Sequence, residues 1–363
     1  TATTSIYTVY KSSAASDVYK RQSSNYSSIL ERLLNGEHLA EAEAADLMRD
    51  LATGDIDPAL AGALLAALRA KGETAEEIRG LANAMRQLAL DPGVAPGTPM
   101  VETVGTGGDG SGSYNLSTGS GLLAAAAGAT VVKHGNRSVS SKSGSADMLQ
   151  ELGMPMPLEP GAAIDTLDAL NFTFLFAPAY HPAMKNIMPV RIAMGVRTVF
   201  NILGPLANPA GPPRLVVGAF SVDMARLMAG ALAGMPIERA FVIHGEPGWD
   251  EATPVGEFVL FDVTPGQVSE TTRTPEDYGV PRCSPADLKG GDGTANADAF
   301  VRVMSGDDQG PHRDALLMGA SLVLEVAGQA ADCTDGVAQA KEAIDSGRAA
   351  RFLDRFRTHF AAS

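Results

Sequence analysis

Residues 101–118 read VETVGTGGDGSGSYNLST: an apolar run, a turn carrying five glycines, and a cluster of Asn, Ser and Thr. Glycine lets backbone N–H groups close on an anion. Asn115, Ser117 and Thr118 stand where they can cap a following helix, at the end that carries partial positive charge. The chemistry this suits is phosphate binding. Gly105, Gly107 and Gly110 also match the G-x-G-x-x-G spacing of a dinucleotide site. Such a site needs its helix to start at the third glycine, and an acid about twenty residues on for the ribose. Here the turn continues through Ser111, Gly112, Ser113 and Tyr114, and the next strand ends in KHGNR, basic where the acid belongs. Both supporting conditions for a nicotinamide cofactor fail.

KHGNR places Lys133, His134, Asn136 and Arg137 at the C-terminal end of an apolar strand. That is the edge on which open α/β sheets hold ligands. A second polar turn, SVSSKSGSAD (138–147), opens the next helix. Two adjacent strand–turn–helix units, both rich in anion-binding groups, suit a ligand with two separated phosphate groups. Exposed loops are polar too, but they have no need of Lys, Asn and Arg within five residues behind an apolar strand.

An acidic counterpart follows another apolar strand. In HGEPGWDEATP (244–254), Asp250 and Glu251 are adjacent in a loop after RAFVI. Alone, such a pair is more often solvated surface. Beside a diphosphate cradle it reads as a metal site, because Mg²⁺ takes oxygen ligands and is commonly held by one or two carboxylates plus substrate phosphate. Trp249 fits either a wall of that site or a loop anchor. In NIMPVRIAMGVRTVFNILGPLANPAG (186–211), Arg191 and Arg197 lie in an apolar stretch and need an anion or carbonyl partners. Arg197 is assigned to pairing within the fold, and Arg191 to a ligand.

The elements that must position these groups divide at a linker. From Tyr26 to Leu90 the pattern is short amphipathic helices, punctuated by Gly36 and Gly72, with Asp57 capping Pro58 and a capping-box pair at Thr74 and Glu77. DPGVAPGTPM (91–100) then leads into MVETVG, TVVKHG, FTFLFA, RLVVGAF, RAFVIHG and EFVLFDV, read as strands alternating with helices. This predicts an α/β chain with a small N-terminal helical domain (23–94, joined by the helical segment 182–206). A larger α/β domain (100–181 and 207–363) has a mostly parallel central sheet and a C-terminal helical cluster. Residues 1–22 lack helical periodicity and an apolar h-region; SDVYKRQ resembles translated adapter sequence, so a non-native or disordered tail is expected.

The chain has 363 residues and a net charge of −14, which argues against a nucleic-acid partner. Hydrophobic residues make up 45%, yet no apolar run reaches membrane-spanning length, so no membrane partner is expected. Cys283 and Cys333, with no C-x-x-C, fit a reducing cytoplasm without structural zinc or a disulfide framework.

GTGGD, NLST, KHGNR, SSKSGSADMLQELG, RTVFNILGPLANPA and WDEATP occur in this order, and from about Tyr26 onward the sequence closely resembles the anthranilate phosphoribosyltransferases. The resemblance implies a nucleoside-phosphorylase-like fold, a homodimer joined through the helical domains, and a place in tryptophan biosynthesis. It implies phosphoribosyl diphosphate held by Gly105, Gly108, Asp109, Ser113, Asn115, Leu116, Ser117, Thr118, Lys133, His134, Gly135, Asn136, Arg137, Ser138, Val139, Ser140, Ser141 and Ser145. Anthranilate would meet Gly105, Asn136 and Arg191, with Pro205 lining its route, and two Mg²⁺ ions would be bound by Ser117, Asp250 and Glu251. The one departure noticed is Gly319, where an Asn is common.

An aromatic amine is neutral at pH 7 and needs no base before attack, so no residue is assigned as nucleophile or base. His134 is read as positioning or anion-binding. The alternatives are a pyrimidine nucleoside phosphorylase-like enzyme, which would lack KHGNR and the Asp-Glu loop, and a nucleic-acid-binding paralogue. The latter would show a basic face and would have lost the acids.

Overall fold

A computed structural model describes residues 25–138, 142–159 and 161–361. The proposed tail at 1–22 and the site residues Val139, Ser140 and Ser141 lie outside the described residues. The chain divides into two compact units, one comprising residues 1–84 with 183–200, the other 85–182 with 201–363.

The first unit is helical. A helix over 25–34 is followed by Glu41–Thr53, Pro58–Lys71 and Ala75–Gln87, with Met188–Met194 contributed from later in the chain. Apolar side chains at helical spacing, among them Leu47, Met48, Leu51, Leu64, Leu65, Leu68, Ile78 and Leu81, form its core. Asp57 accepts from the N–H groups of Ala59 and Leu60, with Pro58 at the first helical position, as its sequence predicts. The Thr74–Glu77 capping box is formed in both directions. Glu77 is fully buried, and its carboxylate also accepts from Leu39 N at 2.8 Å and Lys71 Nζ at 2.9 Å. A buried charge persists only when paired and hydrogen-bonded in this way.

The second unit is built on a seven-stranded sheet ordered β3-β2-β1-β4-β5-β6-β7. Its strands are β1 (Met100–Gly105), β2 (Thr130–Gly135), β3 (Phe172–Phe176), β4 (Arg214–Gly218), β5 (Arg239–Gly245), β6 (Phe258–Thr264) and β7 (Gln267–Arg273). The first five are mutually parallel, and β6 and β7 run antiparallel to their neighbours. The parallel strands are buried on both faces, which explains their near-continuous Val, Ile and Phe content. Helices Leu116–Ala127 and Pro311–Val326 pack against β1, and their Leu122, Leu123, Leu316 and Met318 join the main core with Val131, Phe172 and Phe174. Alternate residues Met100, Val132 and Leu175 face the other way, onto Ala163 and Leu167 of helix Ala162–Leu170.

Two elements differ from the sequence reading. Strand β7, QVSETTR, is an edge strand exposed along nearly its whole length, so it carries no alternating apolar face; it pairs with β6 through the tight turn at Pro265-Gly266. Helix Gly293–Met304 starts at an N-capping Asp292 and buries Ala297, Phe300, Val303 and Met304.

The strand order reverses between β1 and β4. The chain winds outward from β1 to β2 and β3 on one side, and from β4 to β5 on the other. A crevice forms outside the carboxyl ends of the strands at such a reversal, which is where open α/β sheets bind ligands.

Candidate functional site

The carboxyl ends of β1, β4 and β5 are all glycine: Gly105, Gly218 and Gly245. The reason is close approach. A Cβ on Gly218 would lie 1.7 Å from Asp250 O, one on Gly105 2.4 Å from Asp250 Oδ2, and one on Gly245 2.2 Å from Glu251 O. The loop after β5 is thus laid across the strand ends, with the Asp-Glu pair at the reversal point. Trp249 resolves as an anchor: it is buried, and its backbone exchanges hydrogen bonds with Gly245 at 2.8 and 2.9 Å, closing the turn that delivers Asp250.

The glycine-rich turn meets these acids from the other side. Gly107 N donates to Asp250 Oδ2 at 2.5 Å, and Thr106 N to Gly218 O at 3.0 Å. Asp109 uses one oxygen for Ser111 N and Oγ, at 3.0 and 2.9 Å, and the other for Asp250 N at 3.3 Å. Gly107, Gly108, Gly110 and Gly112 all have φ between 57° and 77°, so the turn keeps its backbone in the left-handed region glycine tolerates. The helix begins only at Leu116, well past the third glycine of the G-x-G-x-x-G spacing. Ser117 N donates to Glu251 Oε1 at 3.1 Å, which ties the helix start to the second acid.

Lys133 completes this cluster from β2. Lys133 is 1% exposed, and its ammonium donates to Thr103 O at 2.5 Å and Ser117 Oγ at 3.2 Å. Burial pushes the Lys133 amine down to about 8, against the pull of Glu102, Glu251 and Asp250. Burial, then repulsion from Asp109, pushes the Asp250 carboxyl up to about 7. Burial, then the Asp250 charge, pushes Glu251 up to about 8. Three acids and one ammonium therefore share a poorly hydrated site that is short of positive charge.

His134 is separated from this cluster by the strand's own alternation. Its imidazole points to the opposite face, where Nδ1–H donates to Gly204 O at 3.3 Å and the ring lies 5.0 Å from that of His181. Burial pushes His134 down to about 3, so the ring is neutral. His134 N donates to the fully buried Glu102 at 2.9 Å. Pro205 is buried in the short turn Gly204–Leu206, next in sequence to the Gly204 whose carbonyl His134 meets.

The described residues of the second turn are held by hydrogen bonds. Asp147 Oδ2 accepts from Gly144 N at 2.8 Å and Ser138 N at 3.2 Å, and its Oδ1 accepts from Arg137 Nη1 at 2.9 Å. The Arg137 guanidinium also donates to Gln150 Oε1 at 2.7 Å, so in this arrangement it braces the turn. Asn136 accepts from Arg137 N through its side chain and from Ala146 N through its carbonyl, and Ser145 opens the following helix.

Asn115 departs from its predicted capping role. It sits at the N-cap position, but its side chain makes no capping bond and is turned across to Ser143. Ser117 and Thr118 lie inside the helix rather than ahead of it.

Arg191 belongs to the helical unit. Its guanidinium lies 5.0 Å from the Phe200 ring centroid and 3.7 Å from Met188 Sδ, and no carboxylate among the described residues pairs with it. Burial lowers its affinity for its proton.

Sequence reasoning missed Thr106, Gly218 and Gly245. A glycine closing each of three parallel strands was the available signal for a loop crossing their ends.

Residues 97–350 match a family model described as the glycosyl transferase family a/b domain, and residues 27–89 match the helical bundle domain of that family. An anthranilate phosphoribosyltransferase of Solibacter usitatus is 45% identical over 337 residues, covering 92% of this chain and 98% of the relative. One from Anaeromyxobacter dehalogenans is 47% identical over 318 residues, covering 88% and 94%. Among solved structures, anthranilate phosphoribosyltransferase from Thermus thermophilus superposes with a TM-score of 0.85 at 41% identity, covering 92% of this chain and 99% of that one. The Saccharomyces cerevisiae enzyme in complex with PRPP and Mg superposes with a TM-score of 0.82 at 26% identity, covering 94% and 99%.

Proposed function

The chain belongs to the anthranilate phosphoribosyltransferase family, and from that premise we propose how its own residues move the 5-phosphoribosyl group from phosphoribosyl diphosphate to the amine of anthranilate. The observation that carries the proposal is the acid loop laid across the sheet reversal by Gly105, Gly218 and Gly245, with Lys133 buried against it. Backbone N–H groups of the glycine turn and the start of helix Leu116–Ala127 receive the diphosphate. Gly108, Asp109, Ser113, Asn115, Leu116, Ser117 and Thr118 shape that half of the cradle. Lys133, Gly135, Asn136, Arg137 and the turn from Ser138 through Ser145 shape the other, with the His134 backbone between them. His134 serves as a neutral, buried positioning group.

The donor set at Asp250, Glu251 and Ser117 fits Mg²⁺. It consists of hard oxygens, two of them carboxylates raised by burial and by repulsion from neighbouring acids (Asp109 on Asp250, Asp250 on Glu251), and so favoured by a nearby cation. Among the described residues, no three His, Cys, Asp or Glu side chains form a metal-holding group. Phosphate oxygens and water would complete each shell, and we assign two ions. When bound, Mg²⁺ supplies charge neutralisation for the departing diphosphate. The protein's part is to hold that leaving group still, with Lys133 and the backbone donors aimed at it, and to keep the neutral amine behind the ribose C1. The Saccharomyces cerevisiae complex with PRPP and Mg supports this reading.

We also propose a cytoplasmic homodimer formed through the helical unit. Exposed Met188 and Ile192, one turn apart on Met188–Met194, support it; a monomeric mass in sedimentation would overturn it. The direct test of function is loss of anthranilate fluorescence on adding phosphoribosyl diphosphate and Mg²⁺.

Two variants probe the assignment. Gly218→Ala forces the Asp250 backbone away from the strand end and is expected to lower kcat/KM about 100-fold with far-ultraviolet circular dichroism unchanged. Wild-type kinetics would show that the loop position is immaterial. Arg191, an apolar-packed guanidinium with no carboxylate partner among the described residues, is assigned to the anthranilate carboxylate. Gly105, Asn136 and Pro205 are assigned to the aromatic substrate. Arg191→Ala is expected to raise KM for anthranilate about tenfold or more and to leave KM for phosphoribosyl diphosphate within about twofold. Equal effects on both would place Arg191 in folding.

A further inference from the structure

Asn296 takes no part in any role assigned above, yet it is 2% exposed and hydrogen-bonded on both ends of its amide. Its Oδ1 accepts from Gly291 N at 2.7 Å, and its Nδ2 donates to Asn115 Oδ1 at 2.7 Å. Asn115 Oδ1 accepts a second hydrogen bond, from Ser143 Oγ at 3.0 Å, and Asn115 Nδ2 donates back to Ser143 O at 3.2 Å. Two donors on one oxygen fix which way the Asn115 amide faces. One N–H of that amide goes to Ser143, and the second has no partner among the described residues.

The segment that carries Asn296 is itself fastened to the glycine turn. Tyr114 N donates to Leu288 O at 3.1 Å, and Gly290 N to Gly112 O at 2.9 Å. A Cβ on Gly290 would lie 2.6 Å from Ser113 O, so the two backbones run in direct contact. On its other side, Thr294 Oγ1 donates to Glu151 Oε2 at 3.0 Å, on the helix that the second turn opens. Leu288 to Asn296 thus form a strap that touches both halves of the cradle, and Asn296 is its buried polar tip.

We infer that Asn296 is a positioning residue for the phosphoribosyl transfer: it locks the Asn115 amide so that its remaining N–H is presented to the phosphoribosyl diphosphate, and it fixes the spacing of the two cradle turns through Ser143. This rests on the function proposed above. Asn296→Asp keeps the acceptor for Gly291 N but sets an oxygen against Asn115 Oδ1. That favours a reversed amide, with the N–H taken from the ligand.

The test is steady-state kinetics with each substrate varied. Asn296→Asp is expected to raise KM for phosphoribosyl diphosphate about tenfold, with KM for anthranilate within about twofold. Combining it with Asn115→Ala is expected to add little to the effect of Asn115→Ala alone, because both remove one interaction. If Asn296→Asp fails to fold, Asn296→Ser, smaller and uncharged, carries the same expectation. Unchanged KM values in a folded variant, equal losses for both substrates, or additive effects in the cycle would overturn the inference. Absence of any transfer by the wild-type chain would instead overturn the functional reading beneath it.

Discussion

Replacing Asp250 and Glu251 together with Asn and Gln is expected to abolish most turnover at low Mg²⁺, by about 100-fold, and to shift the Mg²⁺ optimum upward. The two carboxylates are held against the sheet by Gly107 N and Ser117 N, and the amides of the double variant would preserve most of that geometry while removing the charge. Surface acids would behave differently, since substitutions there fall within about 0.5 kcal/mol and leave rates alone.

The same variant has a second signature in the metal-free protein. Both carboxyls are raised in the fold, Asp250 to about 7 and Glu251 to about 8. A carboxyl raised on folding contributes stability that is complete below its unfolded value near 4 and is lost as pH rises through its folded value. The metal-free wild type is therefore expected to melt at progressively lower temperature between about pH 5 and 8, and the double variant to melt several degrees higher at pH 8. Mg²⁺ with phosphoribosyl diphosphate is expected to recover the wild type's loss, and to stabilise the variant less at the same Mg²⁺ concentration. Superimposable Mg²⁺ titrations of the two proteins would remove the acids from the site.

Strands β1 and β2 were legible to the residue because MVETVG and TVVKHG are apolar runs bounded by turn residues, and burial on both faces demands such runs. Strand β7 was not legible, since an exposed edge strand is specified by its neighbour's backbone rather than by its own side chains. The site shows the same division. Lys133, Asp250 and Glu251 announce themselves because charges beside core strands need partners. Asn115 does not, because the amide that redirects it from capping belongs to Asn296, 181 residues further along the chain. Arg137, a phosphate-ligand candidate from its place in KHGNR, also meets Asp147 and Gln150, which the following helix brings within reach of its guanidinium. Local pattern reports what a residue is able to bind. Which partner it meets is decided by packing.

Lys133→Met is expected to lower kcat/KM by about 100- to 1,000-fold, the scale of losing one preorganised donor aimed at developing charge. Met matches the length and apolar stem of Lys133 but brings no charge, so the variant tests the ammonium alone. Arginine is not expected to rescue it, because a planar fork does not fit a pocket shaped for Thr103 O and Ser117 Oγ. The fold is expected to tolerate the change far better than the reaction does. An unpaired Thr103 carbonyl costs about 1–3 kcal/mol, and the variant no longer buries an ammonium.

The pH dependence of melting then reports where the charge acted. The Lys133 charge pulls Glu251 down, so its removal lets that carboxyl rise above about 8. The acids keep their protons to higher pH, and the loss of stability that spans about pH 5 to 8 in the wild type moves to a more alkaline window in the variant. Thermal melts at pH 6, 8 and 9, taken beside the kinetics, separate the two roles. Near wild-type kcat/KM with a displaced melting profile would mean that Lys133 only balances the acids of the fold. A collapse of kcat/KM with that same displacement places its ammonium on the departing diphosphate.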